Sequence, residues 1–211
     1  MRSRYYGPLI VALVAGAPAP ANAQLVVYPH LDAKAAGEVE TARGGAGVSL
    51  GYHIPARRGL GFGLELDATW YGHFFRDEDV AQLVPAGVDL NTNALLLMGH
   101  LVLPVSIPQA PTWRPYGTVG LGMIHAMFTV PGTEDYDTDQ DNLTFSAGVG
   151  MMHQLTRLLG LRAAVCYYHA FVDEDASDGG YFEDYSFWNI SVGVTFQLPP
   201  QRWSGTNEAD D

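Results

Sequence analysis

Three charged residues sit inside runs of apolar and small residues, where charge is least expected. Glu65 and Asp67 interrupt the run from Phe62 to Trp70, and Arg162 lies between Leu161 and Ala163. Two carboxyls spaced by one residue share a face of an extended strand. An arginine opposite them binds carboxylate through charge-assisted hydrogen bonds. Such a set does one of two things: it gates a passage or relays protons, or it neutralises itself as a structural network, because unpaired buried charge is costly. The structural network is the expectation for Glu65, Asp67 and Arg162.

The other candidate chemistry is thinner. Asp137, Asp139 and Asp141 have the D-x-D-x-D spacing that opens a calcium loop, but Asn142 stands where glycine is needed and Gly148 where the bidentate glutamate belongs. A solvated acidic loop is expected instead. His53, His73, His100, His125, His153 and His169 are scattered, with no H-x-H or H-E-x-x-H pair, so no zinc site is expected. His169 with Asp173 and Ser177 is the nearest approach to a nucleophile, base and acid set, and it matches no known motif. Cys166 is the only cysteine, which excludes an intramolecular disulfide; a small core or lipid-facing residue is expected there. There is no phosphate-binding glycine loop. No catalytic, cofactor or metal site is expected, and the chain is not read as an enzyme.

The elements that must position these residues follow from the hydrophobic pattern. Trp188, Ile190, Val192, Val194, Phe196 and Leu198 alternate with Asn189, Ser191, Gly193, Thr195 and Gln197. That period of two is the mark of a strand with one apolar face. The same alternation runs through 46–54, 62–70 and 143–151, and more weakly through 91–104, 115–130 and 159–172. Residues 25–31 form a short first strand, which Pro29 demotes to an edge or bulge. No stretch of roughly 18 apolar residues, as a membrane helix needs, occurs.

The N-terminus is an export signal. Arg2 and Arg4 precede a short apolar run, Leu9 to Ala17, and Ala21-Asn22-Ala23 is a cleavage site. Residues 1–23 are expected to be a cleaved secretory signal peptide, with cleavage between Ala23 and Gln24. The formal charge of the 211-residue chain is −12, and loss of the two arginines makes the remainder more acidic still. Phosphate binding needs basic clusters, so nucleic acid is excluded as a partner. Charged residues make up only 16% of the chain, which is low for a soluble protein.

The connections fall into two alternating sets. Residues 32–43, 76–90, 131–141 and 173–184 are rich in acid; residues 55–59, 104–114 and 154–159 are compact or proline-rich and carry arginine but no acid. An up-and-down antiparallel barrel puts every second connection at the same rim, which gives about eight strands over residues 24–198. The acidic set is expected to be extracellular, with both chain ends at the other rim and residues 199–211 a flexible periplasmic tail. A barrel is required because hydrocarbon leaves no partner for an unpaired backbone group. Tyr52, Trp70, Tyr71, Trp113, Tyr116, Tyr185 and Trp188, near strand ends, are expected to form aromatic girdles at the two interfaces.

The segment from Arg114 to Gly122, with Pro115-Tyr116, Gly120 and Gly122, resembles the PY-x-x-x-G-x-G strand of the OmpA-like and outer membrane protein β-barrel families. The stretch from Phe187 to Leu198 is similar to their closing strand, although Gln197, Leu198 and a tail follow Phe196. The resemblance covers residues 24–198. It implies an eight-stranded all-β transmembrane barrel in the cell outer membrane, inserted by the outer-membrane assembly machinery. Outer-membrane lipid and lipopolysaccharide would be its surroundings, the acidic loops would meet cations that bridge lipopolysaccharide phosphates, and the chain would be a monomer. Nothing the length of a peptidoglycan-binding domain follows, so cell-wall anchoring is not carried over. A structural or surface-interaction barrel without a large pore is the leading expectation. A small transporter of apolar molecules, a lipid A-modifying enzyme of the barrel type and a periplasmic lipocalin-like barrel are the alternatives.

Overall fold

A computed structural model describes residues 24–41, 44–54, 59–76, 91–129, 138–172 and 184–198. Eight long strands follow one another: β1 (Gln24–Gly37), β2 (Gly44–Ile54), β3 (Phe62–Gly72), β4 (Asn91–Ser106), β5 (Trp113–Thr129), β6 (Thr138–Gln154), β7 (Leu159–Phe171) and β8 (Tyr185–Leu198). Each pairs antiparallel with its neighbours in sequence, and β1 closes the ring on β8, with Leu25 opposite Leu198 and Leu31 opposite Val192. Every long strand therefore has two partners, and no sheet edge is left to be satisfied by solvent. A two-residue bridge, Gly59 and Leu60, adds itself to the end of β4.

The alternation in the sequence becomes an outside and an inside. On β8, Val192 is 51% exposed while Asn189 is 3% exposed. Leu50, Leu64, Leu121, Val149 and Ile190 join Val192 in an outward apolar belt. The buried polar residues, including Ser49, Glu65, Thr69, His100, Arg162 and Thr195, all line the interior. An apolar exterior around a polar lumen is the membrane arrangement and the reverse of a lipocalin.

Three expectations are corrected. The first strand is not short: β1 runs through Asp32 to Gly37, so the acidic connection begins only at residue 38. His30, Asp32 and Lys34 give these residues the look of a loop, but they alternate with Leu31 and Ala33 and point into a lumen that satisfies them. Pro29 sits in the middle of this strand, opposite Val48 of β2; the pairing with β8 passes from Val27 to His30 and skips it. Likewise β6 starts at Thr138, so Asp139 and Asp141, expected in a solvated acidic loop, lie on a strand. Asp137 lies outside the described residues. The third correction concerns the aromatics. Trp70, Trp113 and Trp188 are half-exposed on the outer face, but Tyr71, Tyr116 and Tyr185 are on inward positions and fully buried. Proximity to a strand end does not decide their place; their parity along the strand does.

The lumen has two storeys. Near the rim where the chain ends meet, it is polar and charged. Near the opposite rim it is filled by Tyr71, Leu96, Ile124, Phe128, Tyr168, Tyr185 and Phe187, with Phe74 and Phe75 from the segment after β3.

Candidate functional site: a polar network in the barrel lumen

Glu65 and Arg162 meet in the lower storey. Glu65 projects from β3 and Arg162 from β7, four strands away whichever way the ring is counted, so they stand on opposite walls. Arg162 Nη1 donates to both carboxylate oxygens, at 2.7 Å and 2.8 Å. Its Nε donates to the Tyr116 hydroxyl of β5 at 2.7 Å. The rings of Tyr28 and Tyr116 each lie 4.6 Å from the guanidinium carbon, so the cation is held over two aromatic faces as well as by hydrogen bonds. His53 of β2 adds a contact at 2.5 Å from Nε2 to Glu65 Oε1. All four polar partners are buried, and the pair is tolerable there because the Tyr116 hydroxyl and His53 meet groups that the bridge alone leaves open.

Asp67 shares the face of Glu65 but joins a different set. Its Oδ2 accepts from the Ser49 hydroxyl at 2.5 Å and lies 2.8 Å from His30 Nε2, while its Oδ1 accepts from Thr69 at 2.8 Å. The other nitrogen of His30 lies 2.8 Å from Asp32 Oδ2, and Asp32 Oδ1 accepts from the Asn189 amide at 2.7 Å. An imidazole whose two nitrogens each face a carboxylate satisfies both only as the imidazolium, with both nitrogens donating. His30 is thus the shared partner of Asp67 and Asp32. The row from Asp67 through His30 and Asp32 to Asn189 links β3, β1 and β8.

Of the three residues singled out in the sequence, the structure joins Glu65 to Arg162 and sets Asp67 apart. Sequence reasoning misses His30, Asp32 and His53 as site members. The signal is there: His30 and Asp32 keep the parity of Tyr28 and Val26, and His53 keeps that of Ser49. A first strand ended at residue 31 hides it.

Small residues make the room. A β-carbon added to Gly63 would sit 2.6 Å from His53 Cδ2, and one added to Gly150 would run into the Tyr116 ring. What remains open between Tyr28, His30, Glu65, Asp67, His100 and Arg162 is a cavity of about 30 Å³, room for roughly one or two waters.

The other candidates do not gather into a site. Among the described residues no group of three His, Cys, Asp or Glu side chains could hold a metal ion. His125 and Asp141 pair at 2.7 Å on the outer face. His169 lies 3.8 Å from Asp184, and its expected companions Asp173 and Ser177 lie outside the described residues. Cys166 is buried in the lumen.

Comparisons with known proteins agree with this architecture. No curated protein sequence matches the chain. Among solved structures, a major outer membrane protein from Thermus thermophilus is similar, with a TM-score of 0.55, 13% identity, and 82% of this chain and 99% of that chain covered. Neisserial surface protein A is similar at a TM-score of 0.51 and 13% identity, covering 82% of this chain and 94% of that one. These likenesses concern the fold alone. The family model described as "Outer membrane protein beta-barrel domain" matches residues 9–197. The chain belongs to the outer membrane protein beta-barrel domain family, and it is a protein of the bacterial outer membrane.

Proposed function

We propose that the protein is a non-enzymatic structural or surface-interaction barrel with a closed lumen, presenting its acidic connections outside the cell. The observation that carries this reading is the Arg162–Glu65 bridge. It crosses the lumen from wall to wall, with the two tyrosines around it and a space of about 30 Å³ beside it. Eight strands leave an interior just wide enough for side chains to fill, and the bridge with its tyrosines lies within that interior. In this reading the chain is a monomer placed by the outer-membrane assembly machinery, with lipid and lipopolysaccharide against its apolar belt. The test is swelling of liposomes containing the purified protein in iso-osmotic small sugars. Swelling no faster than in protein-free liposomes is expected; swelling at the rate of a general porin would overturn the reading.

A further inference from the structure

Above the polar network, residues 73–76 follow β3 and belong to no strand. β3 ends at Gly72, and His73 takes a φ of 48°, in the left-handed region that non-glycine residues rarely adopt. In a continuing strand Phe74 and Phe75 would face opposite sides; here both are buried, at 0% and 3% exposure. Phe74 packs on Tyr71 at 5.7 Å and on Phe187 at 5.4 Å, and Phe75 stacks on Phe128 at 5.5 Å. The bend at His73 thus turns the chain across the mouth of the barrel.

The ties that hold this segment lie outside the strand ladder. Phe74 N–H donates to the Thr92 carbonyl at 2.7 Å, and Phe75 N–H to the Thr92 hydroxyl at 3.2 Å. The Phe74 carbonyl accepts from Glu40 N–H at 3.0 Å, and Arg76 Nη2 donates to the Gly37 carbonyl at 2.6 Å. Lys34, the only lysine in the chain, is 2% exposed on the inner face of β1. Its ammonium donates to the carbonyls of His73 at 3.1 Å and Phe74 at 3.3 Å and lies 4.8 Å from the centre of the Phe74 ring. Glu40 lies within electrostatic reach of it.

We infer that residues 73–76 form a lid that lifts from the barrel mouth as a unit, with Lys34 as its latch. All these bonds can open while every pairing of the eight strands stays intact, which is the property that separates a lid from a piece of the wall. Lifting removes two phenyl rings from the upper storey and exposes an aromatic chamber lined by Tyr71, Phe128, Tyr185 and Phe187 to the loop side. The polar network below is untouched, so lid and network are two closures in series.

The test is amide hydrogen exchange, followed by NMR, on the full-length mature protein in lipid nanodiscs. The Phe74 and Phe75 amides are expected to exchange at least about 100-fold faster than those of Leu66 and Thr69 in β3, because the lid opens locally. Lys34→Met is expected to accelerate Phe74 and Phe75 by a further tenfold or so and leave Leu66 and Thr69 unchanged. Should Lys34→Met fail to give a barrel that shifts on gels when boiled, Arg76→Gln, which cuts the tie to Gly37 from the exposed side, carries the same comparison with a smaller acceleration. Exchange of Phe74 and Phe75 at the rate of β3 in the unaltered protein, or no acceleration in the folded variants, would overturn the lid. Neither outcome depends on whether the lumen conducts.

Discussion

Arg162 and Glu65, 97 residues apart in the chain, join opposite walls of the barrel through two hydrogen bonds of 2.7 and 2.8 Å. A strut of this kind holds the ring in shape as well as filling it. Removing either partner leaves the other buried without its main counter-charge, so Arg162→Ala and Glu65→Ala should each cost about 3–5 kcal/mol. The double variant should cost clearly less than the two together, because no lone charge remains. Urea unfolding of the refolded barrel in lipid measures all three, and strict additivity would show that the two residues do not act as a pair.

The second set should be the more sensitive to loss of its imidazole. His30 serves two carboxylates, Asp32 and Asp67, whereas His53 serves Glu65, which keeps Arg162. His30→Ala is expected to cost about 3–5 kcal/mol and His53→Ala about 1–3. The same unfolding experiment checks the order, and a reversed order would contradict the partnership of His30 with Asp67.

How much of this is legible in the sequence depends on whether a residue breaks the pattern of its neighbours. The outward face of β8 is plain because six apolar residues alternate without a gap. Glu65, Asp67 and Arg162 stand out because they are charged within such runs. The length of β1 is concealed because its inward residues, His30, Asp32 and Lys34, are as polar as a loop, and only a folded barrel supplies the partners that let them stay inside. The pairing of Asp67 with His30, across two strands, depends on stagger between strands, which no spacing within one strand encodes. Tyr116 and Tyr185 look like interface residues because tyrosine suits both an aqueous boundary and a hydrogen-bonded interior.

Lipid-facing and lumen-facing positions should respond differently to charge. Val192 points into the hydrocarbon, and Val192→Arg should cost roughly 2–4 kcal/mol, with a matching loss of assembled protein. Gln197 is inward and close to the rim where the chain ends meet. Gln197→Arg should stay within about 1 kcal/mol, since a long cationic side chain there reaches water. Heat-dependent gel mobility of membrane fractions reports assembly, and equal loss for both variants would contradict the facing. Ser191 is inward too, but it lines the small cavity beside Arg162, where a second arginine has no room.

Glycines on the inner face are spacers. Gly150→Ala would push a β-carbon into the Tyr116 ring, whose hydroxyl holds Arg162 Nε. A loss of about 1–3 kcal/mol is expected. Restoring it by adding Tyr116→Phe, which takes away the hydroxyl, is not expected, because the guanidinium then loses an acceptor. Thermal unfolding followed by the gel shift would register both, and a neutral Gly150→Ala would mean that the lumen has slack around the Tyr116 ring.

The central claim, a lumen closed by the Arg162–Glu65 strut, is tested most directly by single-channel recording in planar bilayers of the unaltered protein beside Arg162→Ala. The unaltered barrel should give at most small, rare openings, and Arg162→Ala should open more often while remaining far below a general porin, since the aromatic storey above still stands. Steady porin-like conductance of the unaltered protein, or indistinguishable records from the two, would contradict the account.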